Sequence, residues 1–175
     1  IKTSGTCNFN FSAYVNSEHL DECILSSDVF LVGDSHAGAL GFALSERLKK
    51  TDKKLTILSH VGCLPLEGIT SPWRTSCADL TKYLYQNIFI NNNNVILASR
   101  WRIKIVGTRY NNGEGGIEPG GSVQAFISDK NSNENLKNFI SQKIENLTEI
   151  TNLVVINQIP EVGLHVPKWY FRYSQ

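Results

Sequence analysis

Four short stretches of the chain are almost continuously apolar, and between them apolar residues recur at helical spacing. Asp28–Gly33 (DVFLVG), Lys54–Ser59 (KLTILS), Val95–Ala98 (VILA) and Asn152–Ile156 (NLVVI) have the length and character of strands buried on both faces of a parallel sheet. From Ala37 to Leu48 the leucines at 40, 44 and 48 share one helical face. Arg47, Lys49 and Lys50 close that helix where cations suit its dipole. Ser76–Ile90 aligns Leu80, Leu84 and Ile88, and Asn91–Asn94 breaks it. Asn133–Leu147 reads as a further helix. The alternation β-α-β-α-β-α-β predicts an α/β protein with right-handed crossovers and a parallel sheet covered by helices. Residues 1–26 read as polar and irregular, and Ile103–Val106 as additional strand. Residues 107–122, with glycines at 107, 113, 115, 116, 120 and 121, read as a mobile loop.

Composition narrows the picture. A chain of 175 residues with 41% hydrophobic and 19% charged residues suits one folded domain. Seventeen Lys and Arg against sixteen Asp and Glu leave a net charge of +1, which argues against a nucleic-acid partner. No apolar run approaches the roughly 18–20 residues of a membrane-spanning helix. The chain begins at Ile1 and contains no Met, as expected of a piece of a longer or processed protein. No His, Asp, Glu and Cys set has metal-ligand spacing, so neither metal nor other cofactor is expected. The glycines at 113–121 lack the strand-to-helix setting and the Lys-Ser/Thr ending of a phosphate loop.

The four cysteines form no Cys-x-x-Cys pair. They allow three connectivities, of which local pairing is the simplest: Cys7–Cys23 and Cys63–Cys77 each close a short loop beside a predicted strand. Each bridge would stabilise by roughly 2–4 kcal/mol and would place the chain in an oxidising compartment. The alternative is four buried thiols in a reducing one. Cys7 and Cys77 stand in polar stretches and are expected to be exposed, which favours the bridges.

In parallel α/β sheets ligands bind beyond the carboxyl ends of the strands. Gly33-Asp34-Ser35-His36 follows the first run. A serine at this strand-to-helix turn directs its hydroxyl into the cleft, and its amide at the helix start can donate to an oxyanion. The plain alternative is a helix cap. Gly62 follows the second strand, where a glycine amide can approach a substrate, or simply make a turn. Arg100 and Trp101 follow the third, as cleft residues or as a surface pair.

Together these segments resemble the SGNH (GDSL-like) hydrolases, and in particular the SGNH domain fused to bacterial membrane O-acyltransferases of the OafA/YrhL type. The segments are VFLVGDSHAGAL at 29–40, VGCLPL at 61–66 with Cys77, VILASRW at 95–101 and IPEVGLHVPK at 159–168, in family order. The resemblance implies a three-layer, flavodoxin-like fold. It also implies that Ser35 is the nucleophile, with the Ser35 and Gly62 amides in the oxyanion hole. The family's third block carries an asparagine donor where this chain has Arg100. The implied activity is transfer of an acyl group, most simply acetyl, to a hydroxyl of a surface polysaccharide such as a lipopolysaccharide O-antigen. The acyl donor would be delivered by a fused integral-membrane domain, and the domain would be periplasmic.

A serine nucleophile requires a base, which this family supplies from a late Asp-x-x-His block. The residues three before His19, His36, His60 and His165 are Asn16, Gly33, Ile57 and Val162, so none makes that block. The base is therefore expected from a segment beyond this sequence, and the chain alone is expected to be nearly inactive. Within the chain, His36 diverges from its neighbour Ser35, His60 ends the second strand within reach of the cleft, and His165 reads as a wall residue. Two other readings stand beside the transferase. One is a carbohydrate O-acetyl esterase, with water as the acceptor. The other is a non-catalytic glycan-binding module, in which Trp73, Trp101, Trp169, Tyr170 and Phe171 stack on sugar rings.

Overall fold

A computed structural model of the chain describes residues 7–10, 18–71, 76–111, 123–129 and 134–157. The apolar runs form the centre of a parallel sheet. Its strands are β1 (Cys7–Asn10), β2 (Val29–Gly33), β3 (Leu55–Ser59), β5 (Asn94–Ala98) and β7 (Asn152–Ile156), in the order β1-β3-β2-β5-β7. A second, two-stranded antiparallel sheet joins β4 (Ile69–Thr70) to β6 (Phe126–Ile127). The helices are α1 (Glu18–Leu25), α2 (Ser35–Lys49), α3 (Ser76–Asn87), α4 (Trp101–Val106) and α5 (Leu136–Ile150).

Strand alternation sorts the core into two layers. Phe30, Val32, Leu58, Val95 and Leu97 face Leu20 and Cys23 of α1, Leu80 and Leu84 of α3, and Ile140 and Leu147 of α5. Leu31, Ile57 and Ala98 face the other way, against Ala37, Leu40, Leu44 and Leu48 of α2. The result is three layers, helices–sheet–helix. Discounting the outer strand β1, the order β3-β2-β5-β7 is that of a flavodoxin-like sheet, whose switch point lies between β2 and β5.

Two stretches differ from the sequence reading. Residues 7–10 and 18–25 are not irregular: β1 pairs in parallel with β3, and α1 lies on the larger core layer. The Cys7–Cys23 bridge joins them, with Cα atoms 5.9 Å apart. Alpha-1 is only eight residues long and its apolar side is narrow, so its stability comes from this bridge and from packing more than from periodicity. Burial, and then the charge of Asp21 on α1, push the Tyr83 hydroxyl on α3 up to about 12.

Residues 101–106 are helical, not extended. Alternation in WRIKIV suggests a strand, but over six residues it cannot outweigh the anchors at both ends. The Trp101 indole donates to the Ile156 carbonyl at 2.7 Å, and the Gly107 amide, at φ 81°, caps back onto Ile103. The glycines at 113–121 and His165, Trp73, Trp169, Tyr170 and Phe171 lie outside the described residues.

One position at the switch point admits no side chain. Gly33 ends β2 with φ 145°, and a Cβ built there would collide with the Ala98 carbonyl of β5. That carbonyl accepts from the Asp34 amide at 3.3 Å, so it has little freedom to withdraw. Gly33→Ala is expected to cost about 2–6 kcal/mol, from backbone strain and overpacking together. Urea denaturation would measure it, and a variant as stable as the parent would mean that β5 yields without cost.

Candidate active site

The turn after β2 places four consecutive residues in four different roles. Gly33 allows β2 and β5 to approach. Asp34 is the helix cap: its Oδ1 accepts from the His36 amide at 2.8 Å. Ser35 is therefore not spent on capping. It is the first residue of α2, exposed, and no described residue hydrogen-bonds its hydroxyl. His36 follows, with Nδ1 3.7 Å from Asp34 Oδ1 and no hydrogen bond to that nitrogen.

Asp34 does more than cap. It is 2% exposed, and its Oδ2 accepts from the Ser99 hydroxyl and the Arg100 amide, both at 3.0 Å. One carboxylate thus ties the β2–α2 turn to the β5–α4 turn across the switch point. Charge-assisted bonds of this kind are roughly twice as strong as neutral ones. The sequence reading did not single out Asp34, because Ser99 and Arg100 are distant in the chain.

Ser35, Gly62 and Arg100 line one cavity of about 300 Å³, so the structure brings the three predicted oxyanion and nucleophile positions together. Gly62 has φ 73°, in the left-handed region, and no described residue accepts from its amide. Its carbonyl accepts from the Lys104 ammonium. The Arg100 amide is held by Asp34 and is not available as a donor to a ligand. Lys104, Arg109 and Ser71 also line the cavity and were not foreseen. A lysine inside the apolar run Ile103–Val106 was the available signal for the first of these.

The Gly62 turn is fixed from below by the second disulfide. Cys63 and Cys77 are bridged with Cα atoms 5.3 Å apart, which ties this turn to the first turn of α3. Cys77 is 3% exposed, contrary to the exposure expected from its polar neighbours. Its partner lies against the sheet, and the bridge draws both sulfurs into the core. Among the described residues all four cysteines are paired.

No described histidine serves Ser35. His60 is 4% exposed, and both its ring nitrogens are engaged. Nδ1 lies 3.1 Å from the Val61 carbonyl, which can only accept, so Nδ1 carries the proton. Nε2 lies 2.7 Å from the Ser76 hydroxyl. His19 sits on α1, 3.9 Å from the Cys23 sulfur. Trp101 is 8% exposed and donates to Ile156, so it is a packing peg, not a platform for a sugar. Among the described residues no group of three or more His, Cys, Asp or Glu side chains is placed to hold a metal ion.

A parallel α/β sheet with an uncommitted serine at the switch point, in a small cavity that Gly62 and Arg100 also line, fits a hydrolase- or acyltransferase-like module. The family model of the SGNH domain fused to AT3 domains matches residues 6–173, and the chain belongs to that family. No curated protein and no solved structure matches it. No helix among the described residues is long and apolar enough to cross a membrane.

Asp34→Asn tests the tie across the switch point. An amide cannot accept on both sides, so either the His36 amide or the Ser99 and Arg100 donors face an NH₂ group. The expected loss is about 2–4 kcal/mol, from charge-assisted bonds and a stranded buried donor. Equilibrium denaturation measures it, and a loss under about 0.5 kcal/mol, the usual scale of surface changes, would mean the carboxylate is dispensable.

Proposed function

We propose that this domain carries an acyl group on Ser35 and transfers it to a hydroxyl of a cell-surface polysaccharide. The observation that supports this most directly is that Ser35 heads α2 with its hydroxyl uncommitted, in the cavity that Gly62 and Arg100 also line. Membership of a family fused to AT3 domains supports a membrane-embedded donor of the acyl group. On this reading the domain faces the periplasm, where its two disulfides are stable.

The chemistry proceeds in two displacements. Ser35 Oγ attacks the donor's acyl carbonyl and gives up its proton to a base. The tetrahedral oxyanion is met by the Ser35 and Gly62 amides and by the Arg100 guanidinium, donors fixed before reaction. Collapse expels the donor, which takes the proton from that base as it leaves, and an acyl-serine remains. A sugar hydroxyl, deprotonated by the same base, then attacks that ester and restores Ser35. Water at this second step makes the domain an O-acetyl esterase, and a cleft that never acylates makes it a glycan-binding module. Transfer is preferred over binding alone because Ser35, unlike Ser27, Ser76 and Ser99, makes no hydrogen bond within the described residues.

The base is assigned outside the described residues, because His60 is held by Val61 and Ser76. Until a base reaches Ser35, the serine hydroxyl is a weak nucleophile.

In the full-length protein, Ser35→Ala is expected to lower acyl transfer by more than about a thousandfold, the scale of losing a triad member. The variant should keep its circular dichroism spectrum. Undiminished transfer would remove Ser35 from the mechanism, and incorporation of label into water-soluble acetate instead of glycan would favour the esterase.

His60→Gln separates the two assignments of the base. A residue held in a structural hydrogen-bonded pair should cost stability but leave kcat of the folded enzyme within about threefold. Loss of a general base would instead cost roughly 10²–10⁴-fold. Measuring kcat against pH in the same variant completes the check.

A further inference from the structure

The two-stranded sheet leads from the cavity at Ser35 to a second one. Ser71 and Val123 line the first cavity, beyond one end of the β4–β6 pair. Gly68 and Ser128 line the second, at the other end, where the Ser128 amide donates to the Gly68 carbonyl at 2.8 Å. From residue 68 to residue 71 an extended chain covers about 10 Å. The second cavity has a volume of about 330 Å³, against about 300 Å³ for the first. Both are at the low end of ligand pockets, which run to roughly 1,000 Å³, so each admits about one sugar residue.

The second cavity suits a neutral ligand rich in hydroxyls. Leu66, Ile69 and Ala78 give it an apolar side. The Tyr85 ring stands edge-on to Phe89 at 5.0 Å, and its hydroxyl accepts from the Glu67 amide at 3.3 Å. That hydroxyl donates to no described residue. Burial pushes its pKa up, so it keeps its proton to give. The Gln86 carboxamide and the Ser128 hydroxyl, both on the cavity wall, make no hydrogen bond within the described residues. Glu67 and Lys82 bring one charge of each sign, which favours neither an anion nor a cation. The first cavity has a matching group in Ser71, 7% exposed and with no hydrogen-bond partner for its hydroxyl among the described residues. Buried polar groups are rarely left so, and those that are call for a ligand or a water.

We propose that a neutral stretch of the acceptor polysaccharide binds along the β4–β6 sheet, with the sugar to be acylated in the first cavity and a sugar further along the chain in the second. The proposal rests on the reading of Ser35 as the acyl carrier, since that makes the first cavity the place of the reacting sugar. Sugar hydroxyls both donate and accept. They match a Tyr85 hydroxyl with a proton to give, a Gln86 amide that can do both, and the Ser71 hydroxyl between the two ends. The C–H face of a ring covers the apolar side of the second cavity. Bonds made there fix the chain without touching the reacting sugar, so they select for acceptor length and not for the group at Ser35.

The test is equilibrium binding to the full-length protein. The probe is the surface polysaccharide of the cells that make it, de-acylated and cut into size-graded fragments. Fragments long enough to reach both cavities should bind about tenfold tighter than the shortest, the scale of one or two net hydrogen bonds. Added salt should leave that gain in place, because no ion pair carries it. Ala78 is exposed on α3 and lines the second cavity, so Ala78→Trp fills the cavity from outside the core. It should cancel the gain, and every fragment should then bind as the shortest does. Gln86→Ala, also at an exposed position, should lose roughly threefold of the gain, the scale of a single neutral bond, and decides the matter if the tryptophan variant does not fold. Binding of no fragment, affinity that does not rise with length, a rise that salt abolishes, or a rise that a folded Ala78→Trp leaves intact overturns the proposal. Ser35→Ala, run in parallel, keeps the two readings apart. It should lose transfer and keep the length dependence of binding. Transfer that persists in it overturns the role of Ser35 alone, and a missing length dependence in the parent overturns the second subsite alone.

Discussion

The buried Asp34 carboxylate is the constraint on which the site depends. Its oxygens accept from three donors on two different turns, and two of those donors lie 65 and 66 residues further along the chain. Without it, the start of α2 and the start of α4 would be joined only through the paired ends of β2 and β5. With it, the serine that heads one helix and the arginine that precedes the other are held in a common frame. The cost of burying a carboxylate is offset because every bond it accepts also satisfies a group that burial or a helix end would otherwise strand.

The strands were legible because their physics is local. A parallel strand buried on both faces must be apolar at consecutive positions, and β2, β3, β5 and β7 are. Beta-7 is the weakest member: its Val154 and Val155 remain exposed, as suits a strand with a partner on one side among the described residues. What escaped the reading is what long-range contacts decide. CNFN has no strand pattern of its own and becomes β1 because β3 offers an open edge and Cys23 a covalent hold. WRIKIV alternates like a strand and becomes α4 because Trp101 is anchored to Ile156, the last residue of β7.

The same division runs through the site. Ser35, Gly62 and Arg100 were legible because topology puts strand ends at the cleft, and each follows a strand. The disulfide pairs were legible from spacing, but not that Cys77 is buried, since its own neighbours are polar. Asp34 was visible only as a polar residue at a helix start, and its weight comes from Ser99 and Arg100. Ser71 and Lys104 had no local signature at all beyond a lysine in an apolar run. Roles that depend on position relative to the fold were readable, and roles that depend on partners across the fold were not.

A nucleophile must be poorly satisfied, and a fold must leave little unsatisfied, so the two demands have to be met by different residues. On the role proposed for Ser35, they are met here by adjacent residues. Gly33 is packed against β5 so closely that no side chain fits, and Asp34 accepts from His36, Ser99 and Arg100. Between Asp34 and the His36 amide that it holds, Ser35 alone is left exposed. Stability that surrounds the serine without including it preserves an unpaired hydroxyl in a rigid setting, which is the preorganisation that covalent catalysis requires. The same logic reaches the opposite wall, where the Lys104 ammonium holds the carbonyl of Gly62. That contact steadies the turn after β3 that lines the cavity.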